Sequence, residues 1–338
     1  MFDELTSEPG VSPARVEQVL GAILEGRWTP VQVAGFAVAL RLRGETPETI
    51  AAAARALRRA ARPVAHRYAA VLDTCGTGGD GAGTLNLSTG AALIAAAAGV
   101  AVAKHGNRAV SSRAGSADVL AALGIPLDLA PAGAGAVLDE VGITFLMAPI
   151  HHPALRHGGV ARRELGIRTI FNCLGPLANP AGATHQLVGA YDDALRPTLA
   201  RTLRDLGLTR AWVVRGEDGL DEISPSAPTR VTELSGGALT ERVVAPEDFG
   251  LQRLDPGAYA GGDANENARA LERVLANEPH PARDAVLLNA AAALVVARGV
   301  EPREAARTAA EQLTSGRAAA LLAEWRAAAQ RAEREPGP

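Results

Sequence analysis

The sequence predicts an α/β protein in two parts. A small N-terminal helical domain occupies residues 1–70, and a large α/β domain with a central, mostly parallel sheet surrounded by helices occupies residues 71–338. Three observations carry this. Residues 11–70 place apolar side chains at helical spacing. From Val71 onward, short apolar strand-like runs alternate with helical ones, which implies parallel strands joined by helices. Two polar, glycine-dense loops sit at strand-to-helix junctions, where open α/β sheets place ligands. A chain of 338 residues can build a sizeable core in one large or two moderate domains.

Ser12-Pro13, Thr29-Pro30 and Thr46-Pro47 each set a capping side chain just before a proline suited to the first helical position, so three helices are expected. Val16, Val19, Leu20 and Ile23 form one apolar face, and Phe36, Leu40 and Leu42 another. So small a module cannot bury this surface by itself. Packing is expected on the main domain, through a helical segment near residues 153–182, or on a second subunit. Strands are expected to end at Val71-Leu72 and to run over Val100–Ala103, Ile143–Met147, Leu187–Ala190 and Ala211–Val214. Residues 231–262 lack helical periodicity and suit antiparallel strands and loops. Helices return at 265–277, 282–298, 302–315 and 318–331, and the last residues, R-E-P-G-P, are expected to fray.

Hydrophobic content is 47% and net charge is −3, with acids and bases interspersed, so neither a nucleic-acid surface nor a membrane-binding stripe is expected. The opening M-F-D-E-L is not of signal-peptide type. The apolar runs 91–103 and 290–297 fall short of the roughly 20 residues a membrane span needs. A cytoplasmic protein is expected. Cys75 and Cys173 form no C-x-x-C pair and read as reduced, buried thiols.

The first loop is G-T-G-G-D-G-A-G-T. Gly76, Gly78, Gly79, Gly81 and Gly83 permit positive φ and leave backbone N–H groups uncovered, so the loop can wrap an anion. Thr84, Asn86, Ser88 and Thr89 follow, with Ser88 or Thr89 suited to cap an alanine-rich helix starting near Gly90. The positive end of that helix would face the same pocket. The second loop opens after Val100–Ala103 with Lys104, the only lysine in the protein. His105, Gly106, Asn107, Arg108, Ser111, Ser112, Arg113 and Ser116 add donors, and Asp118 begins a helical run. Together the loops point to phosphate binding.

Gly76, Gly78 and Gly81 also satisfy G-x-G-x-x-G after a strand. Two features oppose dinucleotide binding: Asp80 inside the motif would repel a pyrophosphate without a metal between them, and no acid between Ala91 and Lys104 is available for a ribose hydroxyl. A Walker loop is excluded because no G-K-[ST] follows. Three histidines between His151 and His157 lack the i, i+4 spacing of zinc ligands on one helical face. Arg162, Arg163 and Arg168 lie in a helical stretch and its exit; taken singly, each reads as a solvated side chain. Asp221-Glu222 lies just beyond the strand at Ala211–Val214.

The segments G-T-G-G-D-G, T-L-N-L-S-T and K-H-G-N-R-A-V-S-S-R-A-G-S-A-D, with G-E-T at residues 44–46, resemble the signature loops of the anthranilate phosphoribosyltransferase family. The resemblance covers nearly the whole chain and is most specific between residues 73 and 224. It implies magnesium-dependent transfer of a phosphoribosyl group from phosphoribosyl diphosphate to the amine of anthranilate, and a homodimer built through the N-terminal helices. It places the sugar diphosphate on Gly76, Gly79, Asp80, Thr84, Asn86, Leu87, Ser88 and Thr89, on Lys104, His105, Gly106, Asn107, Arg108, Ala109, Val110, Ser111 and Ser112, and on Ser116. Anthranilate falls to Gly76, Asn107 and Arg162. Two Mg2+ ions per subunit are implied, one at Asp221 and Glu222 and one at Ser88. Lys104 would stabilise the leaving diphosphate. No general acid or base is assigned, because an aromatic amine is already neutral near pH 7; His105 is left as a proton acceptor or substrate contact.

Departures from the family pattern are Ala161 for valine, Ala178 for threonine and Leu85 for phenylalanine, and none removes a polar ligand. Pyrimidine nucleoside phosphorylases have a similar architecture, but their K-H loop continues with serine, whereas Gly106-Asn107-Arg108 follows here. In phosphoribosyltransferases of another fold the acidic pair leads into a threonine- and glycine-rich loop, whereas I-S-P-S-A-P follows here. A non-catalytic nucleic-acid-binding relative would be basic and would lack the glycine loop or the acidic pair.

Overall fold

The computed structural model describes Glu4, residues 10–109 and residues 113–334. Val110, Ser111 and Ser112 of the second loop, and the chain end beyond Arg334, lie outside the described residues.

Three helices open the chain: α1 Pro13–Leu24, α2 Pro30–Arg43 and α3 Pro47–Arg59. Each begins where the Ser/Thr-Pro pairs predict. Ser12 Oγ accepts from Arg15 N at 3.3 Å, Thr29 and Gln32 form a reciprocal capping box, and Thr46 Oγ1 accepts from Thr49 N at 3.3 Å. The bundle does not close on itself. Val16, Leu20, Phe36, Ile50 and Leu57 share one core with Ile170, Phe171 and Leu174, and with Val188 and Val213 on one face of the sheet.

The α/β domain holds a seven-stranded sheet in the order β3-β2-β1-β4-β5-β6-β7. Its strands are β1 Leu72–Gly76, β2 Val102–Gly106, β3 Ile143–Met147, β4 His185–Gly189, β5 Arg210–Gly216, β6 Thr229–Ser235 and β7 Ala238–Val244. The first five are parallel, and β6 and β7 add antiparallel at one edge. Alternate residues serve opposite faces. Leu187, Trp212 and Val214 face the larger core with α4 Leu87–Ala97 and the helix Arg283–Arg298, while Val188, Ala211 and Val213 face the N-terminal bundle. Among the described residues no single helix is long and apolar enough to cross a membrane.

The chain runs outward from β1 to β2 to β3 and then returns to β4 on the other side of β1. Loops at the C-terminal ends of β1 and β4 therefore diverge and leave a crevice. A second opening lies between β1 and β2, whose register is set by Leu72 opposite Val102. Beyond that pair, side chains replace the backbone ladder. Asp73 accepts from His105 N at 3.1 Å and from Asn179 Nδ2 at 2.9 Å, and the same amide nitrogen donates to Ala103 O at 2.7 Å.

Three boundaries differ from expectation. Strand β1 starts at Leu72, where the sequence leads one to expect a strand to end, and runs on to Gly76, so the first residues of the glycine-dense segment belong to the sheet. Strand β2 continues to Gly106, so Lys104 and His105 are strand residues paired with Phe145 and Leu146 rather than loop residues. Helix α4 starts at Leu87 with Asn86 at its N-cap, and neither Ser88 nor Thr89 caps it. The Asn86 side chain is committed elsewhere: its Nδ2 donates to Ala114 O at 3.2 Å and its Oδ1 accepts from Asn267 Nδ2 at 2.9 Å.

Candidate active site

Both glycine-dense segments open onto one cleft of about 970 Å³, closed on the other side by helices α5 Arg156–Leu165 and α6 Ile170–Leu177 and by the acidic pair. Gly76 is extended at the end of β1, and Gly78, Gly79, Gly81 and Gly83 take positive φ. At Gly79, φ is +82° and a Cβ would run into the Arg168 guanidinium, so both backbone shape and space require glycine. A Cβ at Gly76 would lie 3.3 Å from Asp221 Oδ2. The first glycine-dense loop and the acidic pair thus lie against each other.

Lys104 reaches under the first loop from β2. Its Nζ donates to Thr74 O, lies 3.4 Å from Thr74 Oγ1 and donates to Ser88 Oγ at 3.3 Å. Burial lowers its pKa, while Asp73 and Glu222 favour its charged form. Ser88 N in turn donates to Glu222 Oε1 at 3.4 Å, so the positive end of α4, the lone lysine and one carboxylate meet at Ser88. Burial first, then Asp80, raises the Asp221 carboxyl; burial first, then Asp221, raises Glu222. Glu222 Oε2 is buried without a hydrogen-bond partner.

Two residues outside the sequence-derived set hold this pair in place. Asn289, in the helix Arg283–Arg298, accepts from Ile223 N at 3.1 Å and donates to Ile223 O at 3.0 Å, gripping both backbone groups of the residue after Glu222. Gly189 ends β4 directly beneath Asp221, and a Cβ there would overlap the Asp221 carbonyl. An amide in the otherwise apolar run L-L-N-A-A-A-A-L-V-V is a signal open to sequence reading. The requirement at Gly189 is not, because the Asp221 carbonyl comes from a distant segment.

The second segment is folded by Asp118, which accepts from Ala109 N at 2.9 Å and Gly115 N at 3.0 Å and pairs with Arg108 at 3.0 Å. Asn107, Arg108, Ala109 and Ser116 line the cleft with Gly106 and His105, as do Thr84 and Asn86 from the first segment. Leu87 and Thr89 do not line it. Both side chains are buried, because a helix that begins at Leu87 turns them inward. His105 Nδ1 lies 3.0 Å from Gly175 O and so carries the proton, leaving Nε2 unprotonated and buried without a partner. Burial first, then His152 with ring centroids 5.0 Å away, lowers the His105 pKa to about 3. At neutral pH this ring is uncharged. Both cysteines are free; Cys173 is buried, but Cys75 is only half-buried, since it sits where β1 opens toward the cleft.

Across the cleft, Arg162 projects from α5 and is exposed, with its guanidinium 5.9 Å from the Phe171 ring centroid. It forms no ion pair with a carboxylate among the described residues, and a planar fork of donors is open to an incoming acid. Arg163 and Arg168 line the same cleft. Geometrically, the site joins an anion cradle with a lysine and paired carboxylates to an arginine–aromatic wall.

Comparison with known proteins agrees with this geometry. Residues 68–319 match the family described as "Glycosyl transferase family, a/b domain", and residues 3–61 match "Glycosyl transferase family, helical bundle domain". The anthranilate phosphoribosyltransferase of Symbiobacterium thermophilum is 52% identical over 317 residues, covering 94% of this chain and 93% of its own. The crystal structure of anthranilate phosphoribosyltransferase from Thermus thermophilus superposes with a TM-score of 0.91 at 44% identity, covering 97% of this chain and 98% of that one. The Saccharomyces cerevisiae enzyme in complex with phosphoribosyl diphosphate and magnesium superposes with a TM-score of 0.90 at 29% identity, covering 98% of this chain and 97% of that one.

Proposed function

The chain belongs to the anthranilate phosphoribosyltransferase family, and we propose from its own residues how the two substrates of that reaction are held. The enzyme transfers the phosphoribosyl group of 5-phospho-α-D-ribose 1-diphosphate to the amine of anthranilate, releasing diphosphate, in tryptophan biosynthesis. The observation that carries the residue assignment is the meeting of the glycine loop, the α4 N-terminus, Lys104 and Asp221-Glu222 at one end of a cleft whose other wall holds Arg162.

In this reading the sugar diphosphate lies along Gly76, Gly79, Asp80, Thr84, Asn86 and Ser88 and the Lys104–Ala109 segment, near Ser116. Anthranilate lies between Gly76, Asn107 and Arg162. The carboxylate of anthranilate takes the Arg162 fork while Phe171 steadies the guanidinium. The buried, partnerless Glu222 Oε2 beside Asp221 and Ser88 suits a hard cation with oxygen ligands, and magnesium typically takes only one or two carboxylates and leaves the rest to phosphate and water. We assign Asp221 and Glu222 to one magnesium and Ser88 to a second. When bound, magnesium supplies positive charge for the diphosphate that leaves.

The amine nitrogen attacks the anomeric carbon as the carbon–oxygen bond to diphosphate breaks, the electron pair leaves with the diphosphate, and the nitrogen then gives up a proton to water. Because the attacking amine is neutral, a strong base is not needed. The chain contributes positioning and charge, with Lys104 Nζ held ready under the first loop.

The test is the loss of anthranilate fluorescence with purified protein, phosphoribosyl diphosphate and magnesium, with and without EDTA. Metal-dependent loss is expected, and no loss in either arm would sink the reading. Arg162→Ala, run beside it, should raise the KM for anthranilate about tenfold to a hundredfold and that for the sugar diphosphate far less. Equal effects on both would refute the Arg162 assignment.

We also propose a domain boundary near residue 70 and a homodimer through the N-terminal helices. On α2, Val31 is 81% exposed and Leu42 is 82% exposed, apolar surface that a second copy would cover. Light scattering should read twice the chain mass; a monomer at micromolar concentration would overturn the dimer.

A further inference from the structure

Arg168 follows α5 and immediately precedes Thr169, the N-cap of α6. Its Nη2 donates to Gly79 O at 2.7 Å and its Nη1 to Gly78 O at 3.3 Å. The same guanidinium lies 3.7 Å from the centroid of the Tyr191 ring. Tyr191 is itself tied to the glycine loop, since its N–H donates to Thr77 Oγ1 at 2.9 Å. From the other side, Arg41 on α2 donates to Arg168 O, so the N-terminal bundle holds the residue that holds the loop.

A planar trans peptide points its C=O and N–H in opposite directions. With the carbonyls of Gly78 and Gly79 drawn to Arg168, the N–H groups of the next residues, Gly79 and Asp80, turn away from it. An anion nest needs this polarity, with carbonyls withdrawn and amides presented. We propose that Arg168 is a positioning residue for the diphosphate-binding loop, fixing the Gly78–Asp80 peptides in the orientation that receives the sugar diphosphate. Gly79 is matched to it, because a Cβ there would displace the guanidinium. The inference rests on the proposed function: a wild-type protein that does not turn over the sugar diphosphate would sink that reading, whereas the variants below test Arg168 only in a protein that does.

Arg168→Ala should raise the KM for phosphoribosyl diphosphate about ten- to thirtyfold, with kcat and the KM for anthranilate changed less than about threefold. Millimolar guanidinium ion should restore part of the loss, whereas urea at the same concentration should not. Arg168→Lys keeps the charge but lacks the fork and the stacking plane, so the same KM should stay raised. Tyr191→Leu, which removes the platform and leaves the guanidinium, should move that KM in the same direction. Equal changes in both KM values, or an unchanged KM for the sugar diphosphate in a folded Arg168→Ala protein, would overturn the proposal. An unchanged KM in Tyr191→Leu would place Arg168 on the diphosphate itself and would also overturn it. If Arg168→Ala does not fold, the lysine variant decides by the same split.

Discussion

Replacing Asp221 with asparagine and Glu222 with glutamine together is expected to lower kcat/KM about a thousandfold or more while leaving the metal-free fold at least as stable. The opposite signs share one cause. Both carboxyls are buried, and burial, together with the charge beside each one, raises their pKa, so the fold without a cation disfavours their ionised forms. Glu222 Oε2 has no partner to compensate. Amides of the same shape remove this unfavourable charge and also remove the carboxylates assigned above to magnesium. Backbone geometry should survive, because Asn289 grips Ile223 and the Asp221 carbonyl rests over Gly189 whatever side chains sit between them. Initial rates across a magnesium titration, with thermal melting in EDTA, check both halves. Activity that tracks magnesium as in the wild type would remove the metal assignment; a clear drop in metal-free melting temperature would recast the pair as structural.

The parts of the fold legible in the sequence are those whose causes are local. Ser12-Pro13, Thr29-Pro30 and Thr46-Pro47 start helices because the cap and the proline act within one turn, and all three starts are found where the pairs lie. Strand β3 is an apolar run interrupted only by the β-branched Thr144 and is found as Ile143–Met147. Strand β2 extends further than its apolar run predicts, since Lys104 and His105 look like loop residues. They are kept in the sheet by pairing with Phe145 and Leu146 of β3, and on the β1 side the Asp73 carboxylate accepts from His105 N. The cap of α4 departs from expectation for a similar reason: Asn86 is fixed by Ala114 and Asn267, partners from other segments.

For the site, contiguity is the useful signal and also the misleading one. It locates both loops in one cleft, yet it includes Leu87 and Thr89, whose side chains the first turn of α4 directs into the core. Arg168 shows the other limit. Sequence reading treats it as a solvated cation, because the carbonyls it binds belong to Gly78 and Gly79 and its ring partner is Tyr191. Only the fold brings these three segments together. Asn289, in contrast, is visible as a lone amide in an apolar helix, since a buried amide must satisfy both its donor and its acceptor.

Lys104→Met is expected to lower kcat about a hundredfold to a thousandfold, the range for losing one preorganised charge-stabilising donor. Stability should fall too, by about 3 kcal/mol, because the ammonium is the cation that favours the charged form of the buried Asp73. Burial is the main influence raising the Asp73 pKa, and Asn179 and Lys104 oppose it. A single variant therefore mixes catalysis with folding. The double variant Asp73→Asn/Lys104→Met separates them, since the neutral amide no longer needs a counter-charge and should recover part of the lost stability. If Lys104 acts on the charge that develops on the leaving diphosphate, kcat should stay low in the double variant even as the melting temperature rises. The KM for the sugar diphosphate should move less than kcat, because Thr74 O and Ser88 Oγ already hold the ammonium in the free enzyme and its full effect comes only as negative charge builds on the leaving group. Recovery of kcat in step with stability would show that Lys104 serves the fold through Asp73, and the charge stabilising the leaving diphosphate would then have to come from the magnesium sites and the loop amides.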